Sequence, residues 1–343
     1  MFEAALSKTQ QVTEALRREI VQGLVAPGSR LANVRELAGR FAVSRTVVLS
    51  AFDALESEGF ITREPRRGIF VAETQTATFG LLTSYLPAEL EPYFKDLDTA
   101  LGEAGAIQVQ IAFERDEARL ALGLQAIASL RARAVLVDLS GDQGDIRRIR
   151  SMAQGLRVVA CNRWFWDQPP QGPAVLTDHA DLIRQAAAHF LGRGRHEIVW
   201  LAILEWQVPL LTRLLKQALA ALGEPFDPAR HRIVAMQSLE DEPQRLRAVL
   251  PGASAVFGWT DYTLWRFLTL LRARAPGAGP LECCGVNATP WSMQPGRAFH
   301  SFRIPYLEIW RRALARSAER DTAVEFIKPQ LLLREQGPGL LVE

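Results

Sequence analysis

Apolar residues in the first seventy positions recur at helical spacing and then change to a short hairpin pattern. Val12, Ala15, Leu16 and Ile20 share one face of a helix expected from Lys8 to Gln22, stopped by Gly23 and turned by Pro27-Gly28. Asn33-Val34-Arg35-Glu36 has the form of a capping box, so a short second helix is expected to run to Phe41. Ser44 caps a third helix whose inward stripe is Val48, Ala51, Phe52 and Leu55, ending at Gly59. Pro65-Arg66-Arg67-Gly68-Ile69-Phe70-Val71 then supplies a glycine-tipped hairpin.

Beyond a small, polar stretch at 73–78, expected to be a linker, the pattern changes to apolar runs alternating with amphipathic ones. Strand candidates are Phe79–Thr83, Ile107–Phe113, Ala134–Leu139, Arg157–Cys161, Ala174–Thr177, Ile198–Ala202, Ile233–Ala235, Ala255–Gly258 and Glu282–Val286. Helical patterns separate most of them, among them Asp116–Leu130, Leu182–Leu191, Val208–Leu222 and Asp261–Ala273. Such alternation predicts βαβ units and parallel sheets covered on both faces. Residues 79–343 are too many for one such sheet and suit two, with a ligand cleft beyond the carboxyl ends of the strands. The fold expected is an N-terminal winged helix-turn-helix (α+β) over 1–72, a linker over 73–78, and a two-lobed α/β domain over 79–343.

Composition narrows this picture. The 343 residues are 48% hydrophobic and 23% charged, ordinary for a folded soluble chain. Net charge is only +2, so contact with nucleic acid has to come from a local patch. The lysines are Lys8, Lys95, Lys216 and Lys328, and arginine is otherwise the general cation of the chain, which makes arginine number weak evidence for DNA binding. Cys161 and the adjacent Cys283-Cys284 offer neither a disulfide framework nor zinc spacing and fit a reducing compartment. No apolar run reaches membrane-spanning length and no signal-peptide pattern opens the chain, so a cytoplasmic location is expected.

With the stripe of the third helix inward, Arg45, Thr46, Val47, Leu49 and Ser50 face outward. An arginine in the first turn of such a helix can pair with a guanine edge, and a threonine or valine methyl can pack on thymine. Arg66 and Arg67 flank a hairpin tip narrow enough to enter a minor groove or clamp phosphate. The order helix, helix, capped helix, hairpin is that of a reader of double-stranded operator DNA. One such unit offers few contacts, so a homodimer on a pseudo-palindromic site is expected.

These motifs resemble the GntR-type winged-helix family. The resemblance rests on Ile20-x-x-Gly23, Pro27-Gly28-x-x-Leu31, Arg35-Glu36-Leu37-Ala38, Val43-Ser44-Arg45-Thr46, Leu55-x-x-x-Gly59 and Gly68-x-Phe70-Val71. It implies DNA contacts at Arg35, Ser44, Arg45, Thr46 and Gly68, to which the residues themselves add Arg66 and Arg67. Leu49 stands where the family usually has a DNA-contacting arginine, and Val47 where it often has threonine.

The remainder is similar to the periplasmic-binding-protein-like, type I core of lactose-repressor regulators. Phe79-Gly80-Leu81-Leu82 resembles its first strand, and Val159-Ala160-Cys161-Asn162-Arg163 the strand that ends at the crossover between lobes. Val175-Leu176-Thr177-Asp178-His179, Ala255 to Asp261, and Gly285-Val286-Asn287 resemble later strand ends. The two halves together resemble the arabinose-repressor subtype. The resemblance implies a repressor whose effector, a sugar or related polar molecule, lies between the lobes. Strand ends there are Ser84, Asn162, Arg163, Asp178, Trp259, Asp261 and Asn287; Trp164, Phe165, Trp166, Trp206 and Trp291 could cover a sugar face, and Arg213 follows on the next helix.

One alternative is a winged-helix regulator fused to a degenerate, non-binding or enzyme-like domain. Pyridoxal phosphate chemistry needs a Schiff-base lysine in a polar pocket. Lys216 lies in an apolar helix and Lys328 just precedes Pro329, and no nucleophile–base set or HExxH motif is found. The chain is therefore expected not to be an enzyme, with no cofactor and no metal.

Overall fold

The computed structural model describes residues 7–21, 23–65, 67–72, 77–83, 91–112, 117–130, 132–138, 146–153, 155–163, 172–275, 279–294, 298–319 and 322–334. In the reader, α1 (Lys8–Val21), α2 (Val34–Phe41) and α3 (Arg45–Ser57) close on Leu16, Leu37, Val48, Phe52 and Leu55. Both arms of the expected capping box are present: Asn33 Oδ1 accepts from the Glu36 N–H (3.0 Å), and Glu36 Oε2 accepts from the Asn33 N–H (3.0 Å). Ser44 Oγ accepts from the Val47 N–H at the start of α3. β1 (Ile61–Glu64) and β2 (Gly68–Val71) pair antiparallel as the hairpin, or wing. Arg30 bridges to Phe70 and lays its guanidinium where a Gly68 side chain would stand; Gly68 also has φ +125°, so this corner accepts glycine for two reasons.

The body begins with β3 (Ala77–Thr83), two residues earlier than the apolar run suggests. It is followed by α4 (Glu91–Glu103), β4 (Ala106–Ala112), α5 (Glu117–Ser129), β5 (Ala134–Asp138), α6 (Ile146–Met152), β6 (Arg157–Asn162) and β7 (Ala174–Thr177). The second lobe contains α7 (His179–Gly192), β8 (Ile198–Ala202), α8 (Val208–Ala221), β9 (His231–Ala235), α9 (Met236–Asp241), α10 (Leu246–Val249), β10 (Ala255–Gly258), α11 (Asp261–Arg274), β11 (Glu282–Val286) and β12 (His300–Arg303). The chain returns to the first lobe with α12 (Tyr306–Arg316) and β13 (Val324–Ile327), then crosses back as β14 (Gln330–Leu332).

Two six-stranded sheets result, ordered β13-β7-β6-β5-β3-β4 and β14-β12-β11-β10-β8-β9. Pairings are parallel except β12 with β14. Both faces are covered by helices, which is why β5, β8 and β11 are buried along their whole length and, apart from Asp138 and Glu282 at their ends, carry no charged residue. One apolar core runs through both lobes, from Phe79 and Tyr93 to Trp200, Phe257 and Trp310. Smaller cores lie under the outer face of each sheet.

Two expectations change. The chain leaves the first lobe after β7, not after the Val159–Arg163 strand, because β6 and β7 are hydrogen-bonded neighbours in one sheet. Val47 is half-buried, packed on the reader core, and so is not part of the open face of α3.

Candidate functional site

On the reader, Arg35, Ser44, Arg45, Thr46, Leu49 and Ser50 are exposed, at the front of α2 and α3, with Leu49 at 45%. Helical geometry puts Thr46 and Ser50 on the side away from Val48, Phe52 and Leu55, with Arg45 and Leu49 exposed along one flank of that stripe. Arg67 is exposed beside the wing tip, pairs with Glu64 and lies 5.5 Å over the Phe70 ring. Arg66 lies outside the described residues. Arg30, which the sequence pattern did not single out, adds a further exposed cation at the wing. The surface formed is a helix end presenting arginine and hydroxyls next to a basic hairpin, a shape that can enter a groove and grip phosphate together.

The body's strand ends converge at the mouth between the sheets. Asp138, at the end of β5, is fully buried; its Oδ1 accepts from Arg163 Nε (2.7 Å) and its Oδ2 from Asn162 Nδ2 (3.1 Å). Asn162, 4% exposed and with φ +60°, also accepts through Oδ1 from Thr177 Oγ1 (2.8 Å). Burial disfavours the charge on Arg163, but Asp138 beside it outweighs this and holds the guanidinium above its ordinary pKa. Asp178 caps α7 by accepting from the Asp181 N–H (2.9 Å). Its neighbour His179 stacks parallel on Trp259, with centroids 5.9 Å apart, and Trp259 is 8% exposed. Burial, with Arg163 nearby, lowers the His179 pKa to about 4, so the ring is neutral at pH 7.

From the second lobe, Asn287 Oδ1 accepts from the Tyr306 hydroxyl (2.9 Å). Tyr306 opens α12, which packs on β6 and β7, so this bond ties the two lobes together. Tyr306 also packs edge-on against Tyr93, as does Trp310. Trp206, 36% exposed, sits in the 3₁₀ turn before α8, and Arg213 is half-buried on that helix. Ser84 and Trp164 lie outside the described residues, as do Phe165 and Trp166.

Asp261 has an internal task. It is 0% exposed, and its carboxylate accepts from the Thr289 N–H (2.7 Å), Thr289 Oγ1 (2.9 Å) and Ser301 Oγ (2.6 Å). These bonds fasten the loop after β11 and the edge of β12 to the start of α11. Trp291 packs in a cluster with Tyr262 and Trp265. The sequence reading missed Asp138, His179 and Tyr306. Asp138 could have been found by the rule that picked Asn162, since it is the polar residue ending an apolar run.

Among the described residues, His189, Glu282 and His300 approach as metal ligands would, at the opposite ends of the strands. Their chemistry does not fit a cation. The Arg334 N–H donates to His300 Nδ1 (3.0 Å), which leaves the proton on Nε2, the atom turned to Glu282. Glu282 is already paired with Arg193 Nε (2.6 Å) and Arg195 Nε (3.0 Å).

Residues 8–71 match the family described as "Bacterial regulatory proteins, gntR family". The HTH-type transcriptional repressor RspR of Escherichia coli (strain K12) is 43% identical over 68 residues, which are 20% of this chain and 29% of that protein. The arabinose metabolism transcriptional repressor of Geobacillus stearothermophilus is 28% identical over 112 residues, 31% of each. The chain thus spans less than two fifths of the length of such curated relatives. A solved complex of the transcriptional regulator CelR with cellobiose aligns over 97% of this chain and 100% of its own, with TM-score 0.63 and 18% identity. The dimeric Lac repressor aligns over 76% of this chain and 98% of its own, with TM-score 0.63 and 13% identity. The fold is therefore a gntR-type winged helix joined to a lactose-repressor-like, two-lobed α/β body.

Proposed function

We propose that this chain is a sequence-specific DNA-binding repressor whose grip on operator DNA is set by a polar small molecule held between the lobes. The observation that carries the first half is the exposed start of α3, with Ser44 as cap and Arg45 and Thr46 as the residues offered to a groove, beside a basic wing. Contacts are assigned to Arg35, Ser44, Arg45, Thr46, Arg67 and the Gly68 tip, with Arg30 added.

The effector reading is supported by the charge balance of the cleft. Asp138 is neutralised by Arg163, His179 is neutral, and Asp178 is occupied by the α7 N-terminus. Such a lining suits an uncharged, hydroxyl-rich ligand better than an anion, and the Trp259–His179 stack gives an apolar face for a sugar ring. A sugar, cellobiose, is the ligand of the CelR complex that shares this fold. The regulator is a cytoplasmic homodimer without enzymatic activity, since twofold pairing doubles the few contacts one reader can make.

Selection of bound duplexes from a random-sequence pool, followed by binding at fixed salt, tests this. A recurring pseudo-palindrome is expected, and Arg45→Ala should lose about 1–3 kcal/mol on it and less on random duplex. A panel of neutral sugars should contain at least one that raises the melting temperature and weakens operator binding. Recovery of no common sequence, or equal binding by Arg45→Ala, would overturn the DNA half; a panel without any stabilising sugar would overturn the effector half.

A further inference from the structure

Reader and body touch at Arg133, a residue immediately before β5 that neither the reader surface nor the cleft uses. Its backbone N–H donates to the Thr78 carbonyl (2.7 Å), which pins it between β5 and β3. Its Nε donates to the carbonyl of Val21 (2.8 Å), the last residue of α1 and 112 positions earlier in the chain. That carbonyl belongs to the last turn of the helix, where the backbone carries partial negative charge and no intrahelical donor is available. The neighbouring position is shaped to the guanidinium. A Cβ on Gly23 would come within 2.6 Å of Arg133 Nη2 and 3.2 Å of Cζ, and Gly23 itself has φ +69°.

β5 continues from this contact to the cleft. Its five residues, all buried, span roughly 16 Å at ~3.3 Å per residue. At its far end Asp138 holds Arg163 and Asn162. β5 is flanked by β3 and β6 inside the sheet, so it moves as one piece with the lobe. The reader contact and the cleft are thus two ends of one strand.

We propose that Arg133 is a latch fixing the reader to the first lobe, the contact through which the state of the cleft sets the orientation of α3. This rests on the cleft being the effector site, but the latch can be tested without effector or DNA. Nitroxide labels on cysteines replacing Ser57 of the reader and Ser129 of the body, both exposed, report the distance between them; the native cysteines are buried. With labelled chains diluted into an excess of unlabelled protein, so that each dimer carries one labelled protomer, the full chain should give one narrow distance distribution, and Arg133→Ala a broad one. Gly23→Ala pushes at the latch from the other side and should broaden it too. Gly59→Ala is the control: φ is +75° there, but nothing lies within 4 Å of the added methyl, so the distribution should stay narrow.

A narrow distribution in Arg133→Ala would overturn the latch, as would equal broadening in Gly59→Ala. Should Arg133→Ala not fold, Gly23→Ala decides in the same way. Broadening together with a failed duplex selection would leave the latch standing and remove the regulatory reading.

Discussion

Asp261 allows a sharp test of the internal chemistry of the second lobe. Burial pushes its pKa from 3.8 to about 6, against the pull of hydrogen bonds from Ser301 and Thr289. The folded chain therefore holds this proton more tightly than the unfolded chain does. The stabilisation from this group is complete below pH 3.8 and is lost as pH rises through about 6. At about 1.4 kcal/mol per pKa unit, the loss is on the order of 3 kcal/mol. His179 and His300 slope the other way. Burial holds both near 4 when folded against 6.5 when free, so their stabilisation is full above 6.5 and lost as pH falls towards 4.

Asp261→Asn separates the two effects. The carboxamide oxygen can accept from the Thr289 N–H and hydroxyl, and its NH₂ can donate to Ser301 Oγ, which already accepts from the Ala288 N–H (3.0 Å). The variant has no proton to lose, and both histidines are unchanged in it. Urea denaturation followed by tryptophan fluorescence from pH 4 to 8 should show Asp261→Asn gaining on the parent by about 3 kcal/mol across the range. Asp261→Ala should be less stable throughout, because it strands three buried donors at roughly 1–3 kcal/mol each. Parallel stability curves for the parent and Asp261→Asn would refute the reasoning.

Asn33→Ala removes both bonds that Asn33 Oδ1 accepts, from Arg35 N and Glu36 N, and should lower reader stability by about 1 kcal/mol. Adding Glu36→Ala should cost less than it does alone, measured by thermal melting, since the two arms of the box depend on each other. If Arg67 contacts phosphate as proposed, Arg67→Ala should reduce the slope of log affinity against log salt by about 1 while leaving sequence preference intact.

The reader was legible because its signals are local. Each cap, stop and turn lies within a few residues of what it controls: Asn33 with Glu36, Ser44 with Val47, Gly23 with Ile20. The central strands were legible because burial on both faces leaves apolar runs. The later strands β12, β13 and β14 were missed. β13 and β14 have only four and three residues, separated by Lys328-Pro329, and β13 pairs with β7 some 150 positions earlier. At the cleft, the sequence locates a strand end but not the direction of the side chain. Asp261 turns inward because Thr289 and Ser301, 28 and 40 residues later, supply the donors.

The late strands also bear on biosynthesis. Neither sheet is whole until the last described residues have been made: β13 completes the edge of the first lobe and β14 that of the second. A ribosome releasing this chain residue by residue can let the winged helix fold first, since its contacts close within 65 positions. The lobes have to wait for residues 324–332, keeping the unpaired side of β7 open in the meantime. Chain termination before Val324 would leave a folded winged helix attached to two lobes whose sheets lack their last edge strands.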